Sequence, residues 1–368
     1  MDISFSVFYT SLPLAKPYYL SFGPISAFNT FYVIAKSLDD KDLFGIGEVT
    51  PLPGYNHETV SSVSNSLRAI FNRIQSGESV GTVLPSFLSS DPFAVSGLTV
   101  SIELLYKYPG MTKVGLAAPV PLTALCDAAT PELIGRRAAE LCSQGFSTLK
   151  LKVGQREVVD ELERIRNVAS HIPPQIPLRL DANQSYSVTQ AAQLCQGLED
   201  IDCVALLEQP FKPAQWTETG NLIQKTRIPI MLDESIWSVA DVDRAADIGV
   251  RHVKFKLCKH CGIQGSFDLI KRARLYDMGI VYGNGVQTAV GNHYEAMIHS
   301  QAGIQTGSEG NGFLKLKDSA LRGTMTVHGG RLFDSGLDER ILETDQWKCV
   351  IPEVILSLDE EDFQCLEH

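Results

Sequence analysis

The fold of this chain is constrained most by a regular alternation of short apolar runs and helical patterns that begins at Val120. Eight of the runs have the length of a strand: PLTALCD, TLKLKV, LRLDAN, VALLEQP, IPIMLDE, HVKFKL, GIVYG and AGIQTG. Amphipathic stretches such as DELERIRNVASHI separate them, an order typical of parallel strands joined by crossover helices. Eight such units favour a closed, TIM-like β/α barrel, with an open doubly wound sheet as the alternative.

The first 117 residues predict a different kind of unit, an α+β module. The segments ISFSVFYTSLPL and TFYVIAKSLDDKDLFGIGEV alternate in the manner of antiparallel strands, and apolar residues from Val60 to Ile74 recur as on one helix face. Residues 118–329 hold the barrel, and residues 330–368, which lack the alternation, are expected to return to the N-terminal module. The predicted fold class is therefore α/β, a barrel with an N-terminal α+β capping domain.

The composition argues against two kinds of partner. The chain has 32 Lys and Arg against 43 Asp and Glu, a net charge of −11, so neither nucleic acid nor an anionic membrane surface is expected to bind. The N-terminal MDISFSVF has no basic leader, and no apolar run is long enough to cross a bilayer. We expect a soluble, cytoplasmic protein.

Three successive strands of the predicted barrel end in an acidic residue. Asp181 follows LRL, Glu208 follows VALL and Asp233 follows IML. Because the carboxyl ends of barrel strands converge on one mouth, the three carboxylates should meet there. A single Asp could be a helix N-cap, but three acids repel one another unless a cation lies between them. Oxygen ligands favour Mg²⁺ or Mn²⁺, so the sequence predicts a metal site.

Two lysines in TLKLKV, Lys150 and Lys152, point to the same face of their strand and by themselves suggest an edge strand with one wet face. However, Lys152 ends the strand before Asp181, and Lys256 ends the strand after Asp233. The pair would flank the acids from opposite sides, where a nearby metal and further lysines favour a neutral amine that acts as a general base. The alternative, structural ion pairs with the acids, applies to Lys150, Lys152, Lys254 and Lys256.

These residues, in this order, resemble the enolase superfamily in its muconate-lactonizing subgroup, which includes muconate cycloisomerases, o-succinylbenzoate synthases and dipeptide epimerases. The resemblance covers nearly the whole chain. Its markers are GIGEVTPLPGYNHET at 45–59, KLK at 150–152, DAN at 181–183, EQP at 208–210, DES at 233–235 and KFKLCK at 254–259.

The resemblance implies a mechanism with assigned residues. Asp181, Glu208 and Asp233 would bind Mg²⁺, which holds the carboxylate of a small-molecule substrate, while Lys152 and Lys256 face opposite sides of its α-carbon. The metal and a lysine base together make an enediolate accessible. Groups that orient the ligands and lysines would be Lys150, Asn183, Glu234 and Lys254. Contacts to the substrate are expected from Ser21, Phe22, Tyr55, Asn284, Gln287 and Glu309. Barrels of this family often form symmetric oligomers, which allows a homo-oligomer here.

The resemblance does not fix the reaction. PLPG followed by ET is most similar to o-succinylbenzoate synthases, so syn-dehydration is our first expectation. Gln287 stands where the subgroup often has a glutamate, and TGSEGNGFLKL has Glu309 but lacks the Asp-x-Asp with which dipeptide epimerases hold an amino group. Racemisation or epimerisation of N-acylamino acids or dipeptides and muconate-type cycloisomerisation are alternatives. A Schiff-base aldolase and a non-catalytic ligand-binding barrel are hypotheses from other classes.

Overall fold

The computed structural model describes residues 1–20, 22–127, 131–318, 323–337, 347–358 and 362. Its N-terminal part is an antiparallel sheet covered by three helices. The elements are β1 (Asp2–Leu20), β2 (Gly23–Ser37), β3 (Phe44–Val49), α1 (Val60–Gln75), α2 (Val80–Leu88) and α3 (Pro92–Tyr106). β1 and β2 form one long hairpin, in which Ile3 lies opposite Ser37 and Leu20 lies opposite Gly23 at the tip.

Helix α3 crosses β3 at very short range. A Cβ atom at Gly47 of β3 would lie 1.8 Å from the backbone oxygen of Gly97 in α3, so only glycine fits at this crossing. α1 begins with a capping box between Thr59 and Ser62, and it buries one apolar face that includes Leu67. The N-terminal part therefore forms the α+β unit that the sequence predicts.

The next part of the chain alternates strands and helices. Its elements are β4 (Val120–Pro121), β5 (Ala124–Leu125), α4 (Pro131–Ser143), β6 (Leu149–Lys152), α5 (Val158–His171), β7 (Leu178–Asp181), α6 (Val188–Gly197), β8 (Val204–Glu208), α7 (Trp216–Ile223), β9 (Ile230–Leu232), α8 (Val239–Asp247), β10 (His252–Phe255), α9 (Gly262–Leu275), β11 (Gly279–Tyr282) and α10 (Ala289–Gln301). β5 to β11 form one parallel sheet in sequence order. This is the order that a β/α barrel requires.

Residues 304–309 take the eighth position of the barrel without forming a regular strand. The Ser308 amide donates to Pro121 O at 2.7 Å, and the Thr123 amide donates to Ser308 O at 2.8 Å. On the other side, the Glu309 amide donates to Tyr282 O at 3.0 Å. These bonds join the segment to β11 and to the start of β5, so the sheet curls closed, as the sequence predicts.

β6 is an interior strand, so the suggestion of an edge strand is wrong. It pairs with β5 on one side and with β7 on the other. Leu149 and Leu151 are completely buried on its outer face, while Lys150 is 6% exposed on the inner face. The apolar side chains pack toward the surrounding helices, and the lysines therefore point into the barrel.

The C-terminal part returns to the rest of the fold in two places. β12 (Thr326–His328) and β13 (Arg331–Phe333) form a small sheet with β4, and β14 (Lys348–Ser357) pairs antiparallel with β1. We keep the division of the chain at residues 117 and 329 as a proposal. None of the helices within the described ranges has the length and apolar character that crossing a bilayer requires.

Candidate active site

The barrel places its acidic and basic strand ends at one level. Lys152 of β6 pairs in register with Asp181 of β7, and Asp181 pairs with Glu208 of β8. Asp233 directly follows β9, and Lys256 directly follows β10. The structure therefore brings together the five side chains that the sequence places at successive strand ends.

Beneath the mouth lies a group of buried ion pairs that we call the inner layer, formed by Lys150, Lys254, Glu208 and Glu309. Lys150 Nζ lies 2.6 Å from Glu208 Oε2 and 2.8 Å from Glu309 Oε2. Lys254 Nζ lies 3.0 Å from Glu208 Oε1 and 2.5 Å from Glu309 Oε2. Each carboxylate thus bridges both lysines, so Lys150 and Lys254 form ion pairs of the kind that the sequence offered as the alternative for the four lysines.

The charges of the inner layer shift its pKa values strongly. Burial alone would lower the pKa of Lys150, but the carboxylates of Asp181, Glu208 and Glu309 raise it well above its usual range. Burial alone would also lower the pKa of Lys254, but the carboxylates of Glu208 and Glu309 raise it well above its usual range. Burial alone would raise the pKa of Glu309, but the two lysines hold it well below its usual range. The opposite charges of Lys150, Lys254 and Glu309 therefore favour the ionised form of each of these three groups.

Closer to solvent, Lys152 and Lys256 form what we call the outer pair. Lys256 Nζ donates to Asp233 Oδ2 at 2.7 Å and to Tyr55 Oη at 2.9 Å. Lys152 Nζ instead donates to the backbone oxygen of Tyr19 at 2.7 Å. Lys152 has no carboxylate within 4.0 Å among the residues that the structure describes. The outer pair is thus held asymmetrically, one lysine by an acid and one by a carbonyl.

Asp233 is surrounded by donors from three directions. The Tyr55 hydroxyl donates to Oδ1 at 2.9 Å, and Lys259 Nζ donates to the backbone oxygen at 2.7 Å. Burial alone would raise the pKa of Asp233, but Lys256, Lys254 and Lys259 hold it well below its usual range. Lys259 is a residue that sequence reasoning missed, although KFKLCK contains it. Burial lowers the pKa of Lys259 to about 8.

Asn183 and Glu234 lie beside the acids, as predicted. The Asn183 backbone amide donates to Asp181 Oδ1 at 3.1 Å, and its side chain reaches Glu234 Oε1 at 3.4 Å. The other oxygen of Glu234 is buried and has no hydrogen-bond partner among the residues described. Burial, and after it the charge of Asp233, raises the pKa of Glu234. A cation would be favourable beside this unpaired oxygen, because the carboxylates of Asp181 and Asp233 are close to it.

The acids suit a hard divalent cation by their chemistry. Burial, and after it the charge of Asp181, raises the pKa of Glu208 to about 7 despite the two lysines that contact it. In the part of the chain that is described, no three His, Cys, Asp or Glu side chains converge as a ready metal cluster. Lys150 and Lys254 lie between the acids instead. The fit to Mg²⁺ therefore rests on the donor types and on the unpartnered Glu234 oxygen.

The predicted substrate contacts have four different outcomes. Phe22, Tyr55 and Asn284 line a cavity of about 90 Å³ over the acids, and Ser21 lies outside the described residues. Gln287 is not among the residues that line this cavity, because its side chain is buried against Glu295; with the carboxamide turned so that both groups are satisfied, its nitrogen donates to Glu295 Oε1 at 3.1 Å. Glu309 also lines the cavity, but its carboxylate already accepts hydrogen bonds from Lys150 and Lys254 of the inner layer.

This fold and this set of residues match a known family. A sequence model of the family described as "Enolase C-terminal domain-like" matches residues 134–335, more than half of the chain. The chain therefore belongs to the enolase superfamily, and its capping domain and barrel agree with structures of the muconate-lactonizing type.

Characterised relatives include both isomerases and a synthase. The chain is 23% identical to L-Ala-D/L-Glu epimerase of Clostridium acetobutylicum, over 74% of this chain and 79% of the relative. It is 24% identical to o-succinylbenzoate synthase of Listeria innocua, over 77% of each chain. It is 25% identical to N-succinyl-L-Arg/Lys racemase of Bacillus cereus, over 80% of each. The protein is accordingly an enzyme of this superfamily.

Solved structures agree on the fold. The dipeptide epimerase of Enterococcus faecalis V583, crystallised with Mg and the dipeptide L-Leu-L-Tyr, superimposes with a TM-score of 0.79 at 20% identity. The match covers 92% of this chain and 98% of that one. N-succinyl Arg/Lys racemase of Bacillus cereus gives a TM-score of 0.77 at 20% identity, over 100% and 98% of the two chains.

Proposed function

We propose that this enzyme removes the α-proton of a small-molecule carboxylate in a Mg²⁺-dependent reaction, with syn-dehydration of the o-succinylbenzoate synthase type as the net result. One observation carries the proposal. Lys152 and Lys256 line the same small cavity from β6 and β10, and the three acidic strand ends lie between them in the barrel. A substrate held at the acids would have a lysine on either side.

In this proposal Asp181, Glu208 and Asp233 hold the metal. When bound, Mg²⁺ supplies the positive charge that stabilises an enediolate as it forms. Lys152 is placed to accept the α-proton at Nζ, because it lines the cavity and, within the described part of the chain, its hydrogen bond goes to a neutral backbone carbonyl. Lys256 is fixed by Asp233 and Tyr55, so its ammonium group is placed to stabilise the negative charge that develops opposite.

The asymmetry of the outer pair favours a reaction with one base. In a syn-dehydration one lysine removes the proton and then assists departure of the hydroxyl group from the same face, while the other stabilises the intermediate. Racemisation of an N-acylamino acid is the second candidate, because both lysines reach the cavity. Substrates with a free ammonium group are disfavoured, since Glu309, their expected partner, is bound to Lys150 and Lys254.

The test is proton NMR of the Mg²⁺-loaded enzyme in deuterated water. The panel contains the hydroxylated precursor of o-succinylbenzoate, N-acylamino acids, dipeptides and muconates. We expect loss of water from the precursor, abolished by EDTA and restored by Mg²⁺. Lys152→Ala and Lys256→Ala should both be inactive, whereas Lys225→Ala, which changes an exposed lysine outside the cavity lining, should match the wild type.

The other outcomes discriminate among the candidates. Inversion at the α-carbon of an N-acylamino acid, with no dehydration, would replace the synthase by the racemase. Activity that survives EDTA or either lysine substitution would contradict the proposal as a whole. Borohydride trapping of a substrate on lysine would indicate Schiff-base chemistry instead.

A further inference from the structure

The second lysine of the outer pair lies just beyond the end of its strand. β10 ends at Phe255, so its regular ladder with β11 stops one residue before Lys256. Lys152, in contrast, is the last residue of β6 and pairs in register with Asp181. After Lys256 the chain enters a short 3₁₀ turn, Leu257–Lys259. The position of the Lys256 ammonium group therefore depends on what holds this turn.

The backbone of Leu257 is held at both of its polar groups by side chains from two different parts of the molecule. The hydroxyl of Ser96, in α3 of the N-terminal part, donates to Leu257 O at 2.6 Å. The carboxylate of Glu295, in α10 of the barrel, accepts from the Leu257 amide through Oε1 at 3.3 Å. Both side chains are buried, where a hydrogen bond is stronger than in water. We call Ser96, Leu257 and Glu295 the Leu257 clamp.

Each side chain of the clamp also contacts a second backbone amide. Ser96 Oγ accepts from Gly262 N at 3.2 Å, so it spans the 3₁₀ turn and the first residue of α9. Glu295 Oε2 accepts from Asn284 N at 2.8 Å, and Asn284, which lies just after β11, lines the active-site cavity. The clamp therefore joins the chain beyond β10 to the chain beyond β11 and to helix α3.

The contacts of the Lys256 ammonium group depend on an accurate backbone position. Its Nζ lies 2.7 Å from Asp233 Oδ2 and 2.9 Å from Tyr55 Oη, at the edge of the cavity. A shift of the backbone at Leu257 would move Lys256 with it. A displacement of about 1 Å in a reacting group can lower a rate by about 10²-fold, so a small loss of support at Leu257 is expected to matter for turnover.

We propose that Ser96 and Glu295 are positioning residues for Lys256, and that they act through the backbone of Leu257 to hold its ammonium group beside Asp233. This inference rests on the proposed function, because it assumes that Lys256 stabilises the negative charge that forms on the substrate. Neither positioning residue is among the described residues that line the cavity. The proposal makes the docking of α3 on the barrel a requirement for turnover as well as for folding.

The main test variant is Glu295→Gln, in which an NH₂ group replaces one carboxylate oxygen. The remaining oxygen should stay with the two shorter bonds, from Asn284 N at 2.8 Å and Asn292 Nδ2 at 3.0 Å, so that the NH₂ group faces the Leu257 amide. The neighbouring Gln287 can present its own carboxamide oxygen to that NH₂ group. The substitution thus removes the contact to Leu257 and leaves the surrounding polar groups satisfied.

A second variant and two matched controls accompany it. Ser96→Ala removes the other half of the clamp and tests the same contact if Glu295→Gln does not fold. Its control is Ser101→Ala, a buried serine of the same helix whose hydroxyl donates within α3, to Leu98 O at 2.7 Å. The control for Glu295→Gln is Glu103→Gln, a buried glutamate that also accepts from backbone amides of the barrel but does not contact Leu257.

The variants are compared by crystal structure and by steady-state kinetics of the Mg²⁺-loaded enzymes with the hydroxylated precursor of o-succinylbenzoate. In Glu295→Gln and Ser96→Ala we expect Lys256 Nζ to move by about 1 Å or more from Asp233 Oδ2, and kcat to fall by about 10–10²-fold. KM should stay within about twofold, because the acids hold the substrate carboxylate. The double variant should lose little more than the weaker single variant, because both residues act through Leu257. The controls should match the wild type.

The structural and kinetic readouts keep this inference apart from the proposed function. Lys256 in its wild-type position in both variants would overturn the clamp, and so would an equal loss of kcat in the controls. Displacement of Lys256 with kcat unchanged would support the clamp and contradict the role that we propose for Lys256. Wild-type structure and kcat in both variants, with Lys256→Ala inactive, would refute the clamp and leave proton abstraction in place. The crystal structures decide the positioning even if the precursor is not converted.

Discussion

The same sequence pattern, Lys-x-Lys, occurs on β6 and on β10, and within each copy the two lysines have different surroundings. The first lysine of each pattern, Lys150 or Lys254, is buried in the inner layer, where carboxylates bracket it. The second, Lys152 or Lys256, lines the cavity. A displacement of two residues, about 6.6 Å along a strand, separates a structural cation from a candidate acid or base.

The comparison shows what each layer contributes. In the inner layer each lysine lies between two carboxylates, and these ion pairs hold Glu208 in place. In the outer pair Lys152 hydrogen-bonds a backbone carbonyl and has no carboxylate within 4.0 Å among the described residues, and in our proposal this leaves it able to accept a proton. The same pattern thus supplies ion pairs in the inner layer and, in our proposal, catalytic lysines closer to solvent.

The largest effect should come from the outer pair. Lys152→Ala is expected to lower the rate of α-proton abstraction by about 10²–10⁴, because a positioned general base contributes that much. Stability should change by less than about 1 kcal/mol, since Lys152 is half-buried and hydrogen-bonds one carbonyl. Turnover by NMR and urea denaturation together check this. Full activity in Lys152→Ala would show that another residue is the base.

A substitution in the inner layer should instead have its main effect on stability. Glu309→Gln leaves Lys150 and Lys254 without the carboxylate oxygen that both contact at 2.8 and 2.5 Å. Removing one partner of a buried ion pair costs about 3–5 kcal/mol, so the free energy of unfolding should fall by that amount. Glu163→Gln, an exposed change on α5, is the matched control. A fall in the free energy of unfolding below about 1 kcal/mol would show that the ion pairs of Glu309 contribute little to stability.

A smaller effect on turnover is expected from loss of the Tyr55 hydroxyl, which contacts Lys256, one of the two outer lysines. Tyr55→Phe removes a hydroxyl that accepts from Lys256 and donates to Asp233, both at 2.9 Å. A hydrogen bond to a charged group is worth about 1.5–3 kcal/mol, so turnover should fall at least about tenfold. Tyr19→Phe is the control, because only its backbone oxygen contacts Lys152. Equal losses in both variants would argue that the hydroxyl of Tyr55 has no special role.

Local patterns were enough to predict the parts of this molecule that follow from strand periodicity. The alternation of runs gave the barrel, and the spacing of about one β/α unit placed Asp181 and Glu208 in register. The direction of side chains along a strand then fixed which lysines point inward. These features depend on residues close together in the sequence or on repetition of one unit, so no knowledge of long-range contacts is needed.

Other features depend on which distant segments meet, and the sequence did not reveal them. Glu309 lies 159 positions from Lys150, and without that contact it looked like a substrate ligand. Lys259 becomes buried because a short 3₁₀ turn, Leu257–Lys259, folds it back toward Asp233. The interpretation of β6 as an edge strand failed for the same reason, since a hexapeptide contains no information about its neighbours on either side.

Two buried glutamates, Glu103 and Glu309, have pKa values that shift in opposite directions. Glu103 of α3 is buried like Glu309, but its oxygens accept from the backbone amides of Ile263 and Gln264 rather than from a lysine. Burial raises the pKa of Glu103 to about 8, whereas the lysines lower that of Glu309. The native state therefore binds a proton at Glu103 more tightly than the unfolded chain does, with a usual glutamate pKa near 4.5.

The sign of the resulting pH dependence follows from that raised pKa. The stabilising contribution of protonated Glu103 is complete below about pH 4.5 and is lost as the pH rises through 8, with a slope of at most about 1.4 kcal/mol per pH unit. Urea denaturation between pH 5 and 9 should show this decline in the wild type and a shallower one in Glu103→Gln, while exposed Glu199→Gln follows the wild type. Identical slopes for wild type and Glu103→Gln would mean that Glu103 is ionised in the folded protein, so that two backbone amides alone can hold a buried carboxylate as the lysines do in the inner layer.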